Sequence, residues 1–157
     1  QMLLDTNEVD AVIVGAVDLA GGVENVLLRS QFGKINTGVN TLSFDEKANG
    51  WNIGEGAGAV VLKRHDLALA NNQRIYAVID GISIGQSPSM AVDSHTITQV
   101  CQQAFQQAGI EPTKVNYLEV CASGIPAEDE AEINGILQAY PSVNNGLHCA
   151  IGSVKSN

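Results

Sequence analysis

Apolar positions recur along this chain in two rhythms. Over residues 94–108 the rhythm is helical. Ile97, Val100, Cys101, Ala104, Phe105 and Ala108 fall at i, i+3, i+4, i+7, i+8 and i+11 and build one stripe, while Gln99, Gln102, Gln103, Gln106 and Gln107 fall mostly on other faces. Ser94 is placed to cap this helix, and Gly109 and Pro112 to stop it. Elsewhere the apolar residues bunch. Residues 9–17 (V-D-A-V-I-V-G-A-V) read as a strand buried on both faces of a parallel sheet, and an ordinary core strand fits the same facts. Residues 75–84 read as a second strand with Gly81 at a bend, 115–120 as a short third, and 147–154 as a last one.

Helices are expected between the strands: the tail of one over 1–6, then 23–31, 65–73, and one opened by Pro126 and continued by Ala131, Ile133, Ile136, Leu137 and Tyr140. Small residues turn the chain at 18–22, residues 32–43 form a surface loop, and 144–146 a turn. Strand and helix alternating, with glycine at the crossovers, predict an α/β fold with a mostly parallel sheet.

Bulk composition narrows the function. A chain of 157 residues with 45% hydrophobic but only 4% aromatic residues builds its core from aliphatic side chains and alanine. Its net charge of −9 argues against nucleic acid as a partner, since phosphate binding needs clustered Lys and Arg. No apolar run approaches membrane length, and the start of the chain is polar and acidic rather than a signal peptide. Cys101, Cys121 and Cys149 form no close pair and no metal spacing, so free thiols in a reducing cytoplasm are expected, with no metal. The chain lacks an initiating Met, opens in what reads as the tail of a helix and stops just after a strand, which reads as an internal fragment.

Candidate chemistry concentrates at 115–126, V-N-Y-L-E-V-C-A-S-G-I-P. A strand running into Cys121, Ala122, Ser123 and Gly124 and then into a helix is where open α/β proteins place their chemistry. Glu128, Asp129 and Glu130 put negative charge in the first turn of that helix, where its dipole favours it. Gly54, Gly56 and Gly58 suggest a nucleotide loop at first sight, but the third glycine of a dinucleotide fingerprint is missing and a strand over 59–62 follows instead of a helix. We read those glycines as points of close backbone approach, Glu55 as a buried or half-buried structural carboxylate, and Trp51 as core. His95 is expected in solvent, Cys101 in the core, and His148 within a strand.

The same residues carry a family resemblance. Residues 115–126 resemble the V-E-A-H-G-T-G-T-P segment of β-ketoacyl synthases, with Glu119, Gly124 and Pro126 matching. The position of the family's catalytic histidine is Cys121, and its two threonine positions hold Ser123 and Ile125. Residues 44–64 (F-D-E-K-A-N-G-W-N-I-G-E-G-A-G-A-V-V-L-K-R) are similar to the family's F-D-x-x-A-x-G-F-x-x-G-E-G-A-G-V-V-V-L-K, and the tail Gly152–Asn157 to G-S-V-K-[ST]-N-I-G-H, in which Lys155 matches the active-site lysine.

The resemblance implies a thiolase-like layered α-β-α-β-α fold, here partial: about 1–74 from the end of the first half and about 75–157 from the start of the second. It implies acyl and malonyl groups carried on the phosphopantetheine of an acyl carrier protein with no cofactor bound, and a ketosynthase-type dimer partner, homo- or heterodimeric. Decarboxylative condensation by such enzymes needs a thiolate to hold the acyl chain and donors to stabilise an enolate. A neutral thiol at 121 is a weak donor. Two readings of Cys121 follow: a small packing residue in a retired site, or a nucleophile at a strand end near a helix start. The departure implies the chain-length factor that accompanies a ketosynthase, most like that of polyunsaturated fatty-acid synthases. A working β-ketoacyl synthase with another donor is the alternative.

Overall fold

The structure, a computed structural model, describes residues 2–36, 38, 42–89, 91–140 and 149–154. In chain order its elements are α1 (Met2–Asp5), β1 (Ala11–Leu19), α2 (Val23–Ser30), β2 (Glu55–Lys63), α3 (His65–Ala70), α4 (Ser94–Ala108), a 3-10 turn (Pro112–Lys114), β3 (Tyr117–Glu119), α5 (Pro126–Ala139) and β4 (Ala150–Gly152). They fall into two compact units. One joins the chain up to Ala20 to Glu55–Ile79; the other joins Gly21–Gly54 to the chain from Asp80 onward.

In the first unit β1 and β2 pair antiparallel without a break, from Ala11 opposite Lys63 to Leu19 opposite Glu55. β-branched residues at 12–14 and 60–61 suit the pleat. Both the expected parallel pairing and the expected burial give way here. Ile13 is 77% exposed, Leu19 71% and Val61 69%, because the ladder satisfies the backbone but, among the described residues, most side chains of the two strands are left uncovered. The strand expected from Ala59 begins at Glu55 and takes Gly56 and Gly58 into the ladder.

In the second unit α4 and α5 pack together and carry the core. Val120, Ala122, Ile136, Ala139 and Tyr140 are buried, with Ile97, Cys101, Phe105, Val115 and Leu118 partly buried against them. The α4 stripe lies as its spacing requires: all six apolar positions are half-buried and all five glutamines exposed. Gly135 makes the helix contact possible, since a Cβ there would come within 2.7 Å of the Ile97 side chain and 2.8 Å of the Ser94 carbonyl. The ring of Phe105 meets that of Tyr140 edge-on at 5.2 Å. Gly109 ends α4 in the left-handed conformation, φ 62°. Its cap is Asp93 rather than Ser94: the Asp93 carboxylate accepts Thr96 N–H at 2.9 Å and His95 N–H at 3.3 Å, and the Thr96 hydroxyl bond above all holds it below the usual carboxylate range.

Residues 75–84 form no strand, because no partner ladder lies beside them among the described residues. Gly81 does not mark a bend. A Cβ there would stand 3.1 Å from the Ala104 carbonyl, and Ser83 reaches Gln103 at 2.9 Å, so this stretch leans its small residues on α4 and leaves Ile82 and Ile84 exposed. β3 and β4 do pair in parallel, over three residues from Tyr117 opposite Ala150 to Glu119 opposite Gly152. His148 and the turn expected at 144–146 lie outside the described residues.

Candidate active site

β3 delivers the chain into a tight loop, Cys121 to Ile125, before Pro126 opens α5. The loop turns through two left-handed residues, Gly124 at φ 76° and Ala122 at φ 48°. Glycine takes this conformation freely, whereas alanine is strained in it by roughly 1–2 kcal/mol, so the surroundings must hold Ala122 in place.

Two carboxylates from α5 do so. Glu132 grips the first two amides with one oxygen each: Cys121 N–H donates to Oε1 at 2.7 Å and Ala122 N–H to Oε2 at 2.9 Å. Asp129, buried at 4% exposure, accepts Gly124 N–H at 3.2 Å and the Ser123 hydroxyl at 3.3 Å through Oδ1, and Phe44 N–H at 2.9 Å through Oδ2. Hydrogen bonds to ionised acceptors are the strong kind. The 42–51 loop is tied in as well, by the Ser43 hydroxyl to the Ala122 carbonyl at 2.7 Å and by Gly50 N–H to the Gly124 carbonyl at 2.9 Å. Phe44, itself left-handed at φ 62°, is thus pinned by the same aspartate that pins the site loop.

The expected site residues separate. Cys121 is exposed and in no disulfide, its amide on Glu132 and its carbonyl accepting the Ser153 hydroxyl at 3.3 Å. The Ser123 hydroxyl is engaged inside the loop, donating to Asp129 and accepting Ile125 N–H at 3.2 Å. Glu119 accepts the Tyr117 hydroxyl and Val154 N–H, each at 2.7 Å, and those two bonds, the hydroxyl first, hold its carboxyl below the usual range. Lys155 lies outside the described residues.

Glu55 departs from its expected place: it is exposed, at the first position of β2 in the other unit, and a Cβ on Gly54, Gly56 or Gly58 would meet nothing within 4 Å. The close approach expected of those glycines is not made among the described residues. Trp51 is half-buried with the Arg29 guanidinium 5.4 Å over its ring, and so is a packing residue. Cys101 is half-buried on α4, and burial pushes its thiol up.

Asp129 and Glu132 are the residues sequence reasoning undervalued. Asp129 was legible as a charge favoured by the helix dipole, and Glu132 not at all. The available signal was their i, i+3 spacing, which puts both on one side of a helix directly after a loop with unpaired amides. Among the described residues no three His, Cys, Asp or Glu gather to hold a metal ion, and no helix is long and apolar enough to cross a membrane.

Two family models match, the β-ketoacyl synthase N-terminal domain over residues 1–68 and the β-ketoacyl synthase C-terminal domain over 76–157. The chain belongs to the β-ketoacyl synthase family. Among its relatives, a polyunsaturated fatty acid synthase polypeptide of Thraustochytrium sp. is 36% identical over 98% of this chain and 8% of that protein. The 6-methylsalicylic acid synthase of Penicillium terrestre is 34% identical over 96% of this chain and 9% of that one. The chain thus spans only a small part of the length of either relative. Among solved structures, the ketosynthase from module 6 of the bacillaene synthase of Bacillus subtilis superposes with a TM-score of 0.90 at 29% identity, covering 99% of this chain and 29% of that one. The PfaC ketosynthase–chain length factor superposes at 0.79 with 35% identity, covering 99% and 15%. The fold is therefore the thiolase-like α/β fold of ketosynthases, of which this chain supplies a part. The β1–β2 and β3–β4 pairs and the α4–α5 pack are the part described here.

Proposed function

We propose that this chain is part of the chain-length-factor member of a ketosynthase pair, acting on the growing acyl chain by shape rather than by chemistry. The observation that carries this is Cys121. It occupies the strand exit where the family resemblance places the catalytic histidine, and the loop amides at 121, 122, 124 and 125 are already committed to Glu132, Asp129 and Ser123. At position 121 an enolate would meet a thiol where the family resemblance places an imidazole, and a neutral thiol donates weakly. Loss of one strong donor typically slows such chemistry on the order of a hundred- to a thousand-fold.

In this reading Cys121 fills space at a retired site, Lys155 marks the position of the family's active-site lysine, Ser123 and Gly124 keep the loop's shape, and Glu119 holds the chain beside it at Val154. Glu55 is a scaffold residue. The halves of the domain divide near 74–75, which the family matches at 1–68 and 76–157 support. The protein works in the cytoplasm on acyl and malonyl groups borne by the phosphopantetheine of an acyl carrier protein, beside a ketosynthase partner. Relatives supply the support: a solved type II polyketide acyl-carrier protein stands in complex with its ketosynthase, and PfaC joins a ketosynthase to a chain length factor.

Cys121→His in the full-length protein tests this. Condensation of malonyl thioesters by that protein without its partner should stay at background. A gain of about a hundredfold, the size of one restored donor, would show that the site is a working synthase with one altered residue.

A further inference from the structure

The end of β4 is fastened by a device separate from the α5 carboxylates. The β3–β4 ladder stops at Glu119 opposite Gly152, with Val120 N–H to the Gly152 carbonyl at 2.9 Å as its last backbone bond. Beyond it a side chain replaces the next rung. Glu119 Oε1 accepts Val154 N–H at 2.7 Å while Oε2 accepts the Tyr117 hydroxyl at 2.7 Å. With both oxygens engaged, the carboxylate cannot rotate without losing a partner.

Gly152 completes the fit. A Cβ at that position would run into the Tyr117 hydroxyl and stand 3.1 Å from Cζ and 3.2 Å from Cε2, so only glycine lets the tyrosine ring lie against β4. The Ser153 hydroxyl, donating to the Cys121 carbonyl at 3.3 Å, adds a second tie across the same gap.

We propose that Glu119, oriented by Tyr117, is a positioning residue that fixes Ser153 and Val154 and, through the Ser153 hydroxyl, the Cys121 carbonyl. Its bearing on product length rests on the function proposed above; the clip itself rests on these contacts. Charge strengthens it: the Glu119 carboxyl is held ionised while the Tyr117 hydroxyl is held protonated, and a hydrogen bond to an ionised acceptor outweighs a neutral one.

The test is hydrogen–deuterium exchange by mass spectrometry on the full-length protein, following the peptide that contains residues 150–157, with one from α5 as the internal control. Glu119→Ala should speed exchange of the first peptide about tenfold and leave the control unchanged, while Glu119→Gln, which keeps an acceptor, stays within about threefold of the parent. Parent-like exchange in Glu119→Ala overturns the proposal. If the control also loosens, Tyr117→Phe decides, since it keeps the ring on Gly152 and removes only the hydroxyl: local acceleration supports the clip and none overturns it.

The product chain-length profile of the ketosynthase pair is read from the same variants. A profile that shifts in Glu119→Ala and recovers in Glu119→Gln supports a positioning role. A loosened peptide with an unchanged profile leaves the clip standing but overturns the positioning role of Glu119.

Discussion

The two strand pairs of this protein are built in opposite ways. β1 and β2 match residue for residue from Ala11–Lys63 to Leu19–Glu55, and yet most of their apolar side chains are exposed in this chain. β3 and β4 share three residues, and yet carboxylates, hydroxyls and a helix-backed core hold the chain where it leaves them, at Cys121 and Val154. Ladder length therefore says little about how firmly a region is placed. A backbone ladder satisfies polar groups; burial and side-chain acceptors decide position.

That contrast can be broken by mutation, starting where the effect is largest. Ile136→Ala removes a side chain that is 4% exposed in the α5 core and should cost about 2–5 kcal/mol in equilibrium unfolding. Ile13→Ala, at 77% exposure in β1, should cost no more than about 0.5 kcal/mol in the 157-residue chain. If Ile13→Ala costs as much as Ile136→Ala in the full-length protein, the sheet face is covered there and the contrast belongs to this chain alone.

Asp129→Ala comes next. It strands Phe44 N–H and Gly124 N–H, the second of them buried, at about 1–3 kcal/mol for a buried donor left without a partner. Unfolding followed by denaturant should show the loss, and the 42–51 loop should become more protease-sensitive than α4. Equal sensitivity of the two would mean that Asp129 is not what ties the loop down.

The smallest expected effect is at Tyr140. Its hydroxyl is buried with no hydrogen-bond partner among the described residues, so Tyr140→Phe should be neutral or slightly stabilising near pH 7. Burial first, then the nearby Cys149 and Cys101 thiols, push the Tyr140 hydroxyl up to about 12. Because this group is harder to ionise when folded, its contribution is intact below the unfolded value near 10 and lost as pH rises through about 12. Stability measured across that window should fall less in Tyr140→Phe than in the parent. An identical fall would place the alkaline sensitivity elsewhere.

Much of the helical layer was legible in sequence. The α4 stripe, the Pro126 start and the Gly109 stop depend on local spacing and backbone geometry, and those survive whatever surrounds them. β1 to β4 were legible as strands, and β3–β4 in its parallel pairing, but the antiparallel pairing and the exposed faces of β1 were not. Whether residues 9–17 pair parallel or antiparallel, and what lies on their faces, is decided by residues far away in the chain. Residues 75–84 have strand composition and no ladder for the same reason. At the site, Cys121, Ser123 and Gly124 were found through the loop they form. Glu132 escaped because an exposed-looking glutamate on a helix announces nothing about the amides it meets one loop earlier.

The first unit also has a history in time. Its two strands come from separate stretches of chain, with all of Gly21–Gly54 assigned to the other unit in between. Pairing Leu19 with Glu55 must close that excursion before the ladder can zip, an entropic cost that local helices such as α4 do not face. During synthesis β1 therefore leaves the ribosome before β2, the strand it pairs with in this structure. In that interval it is a candidate for chaperone capture, and the order in which the two sheets mature is set by the order in which their second strands arrive.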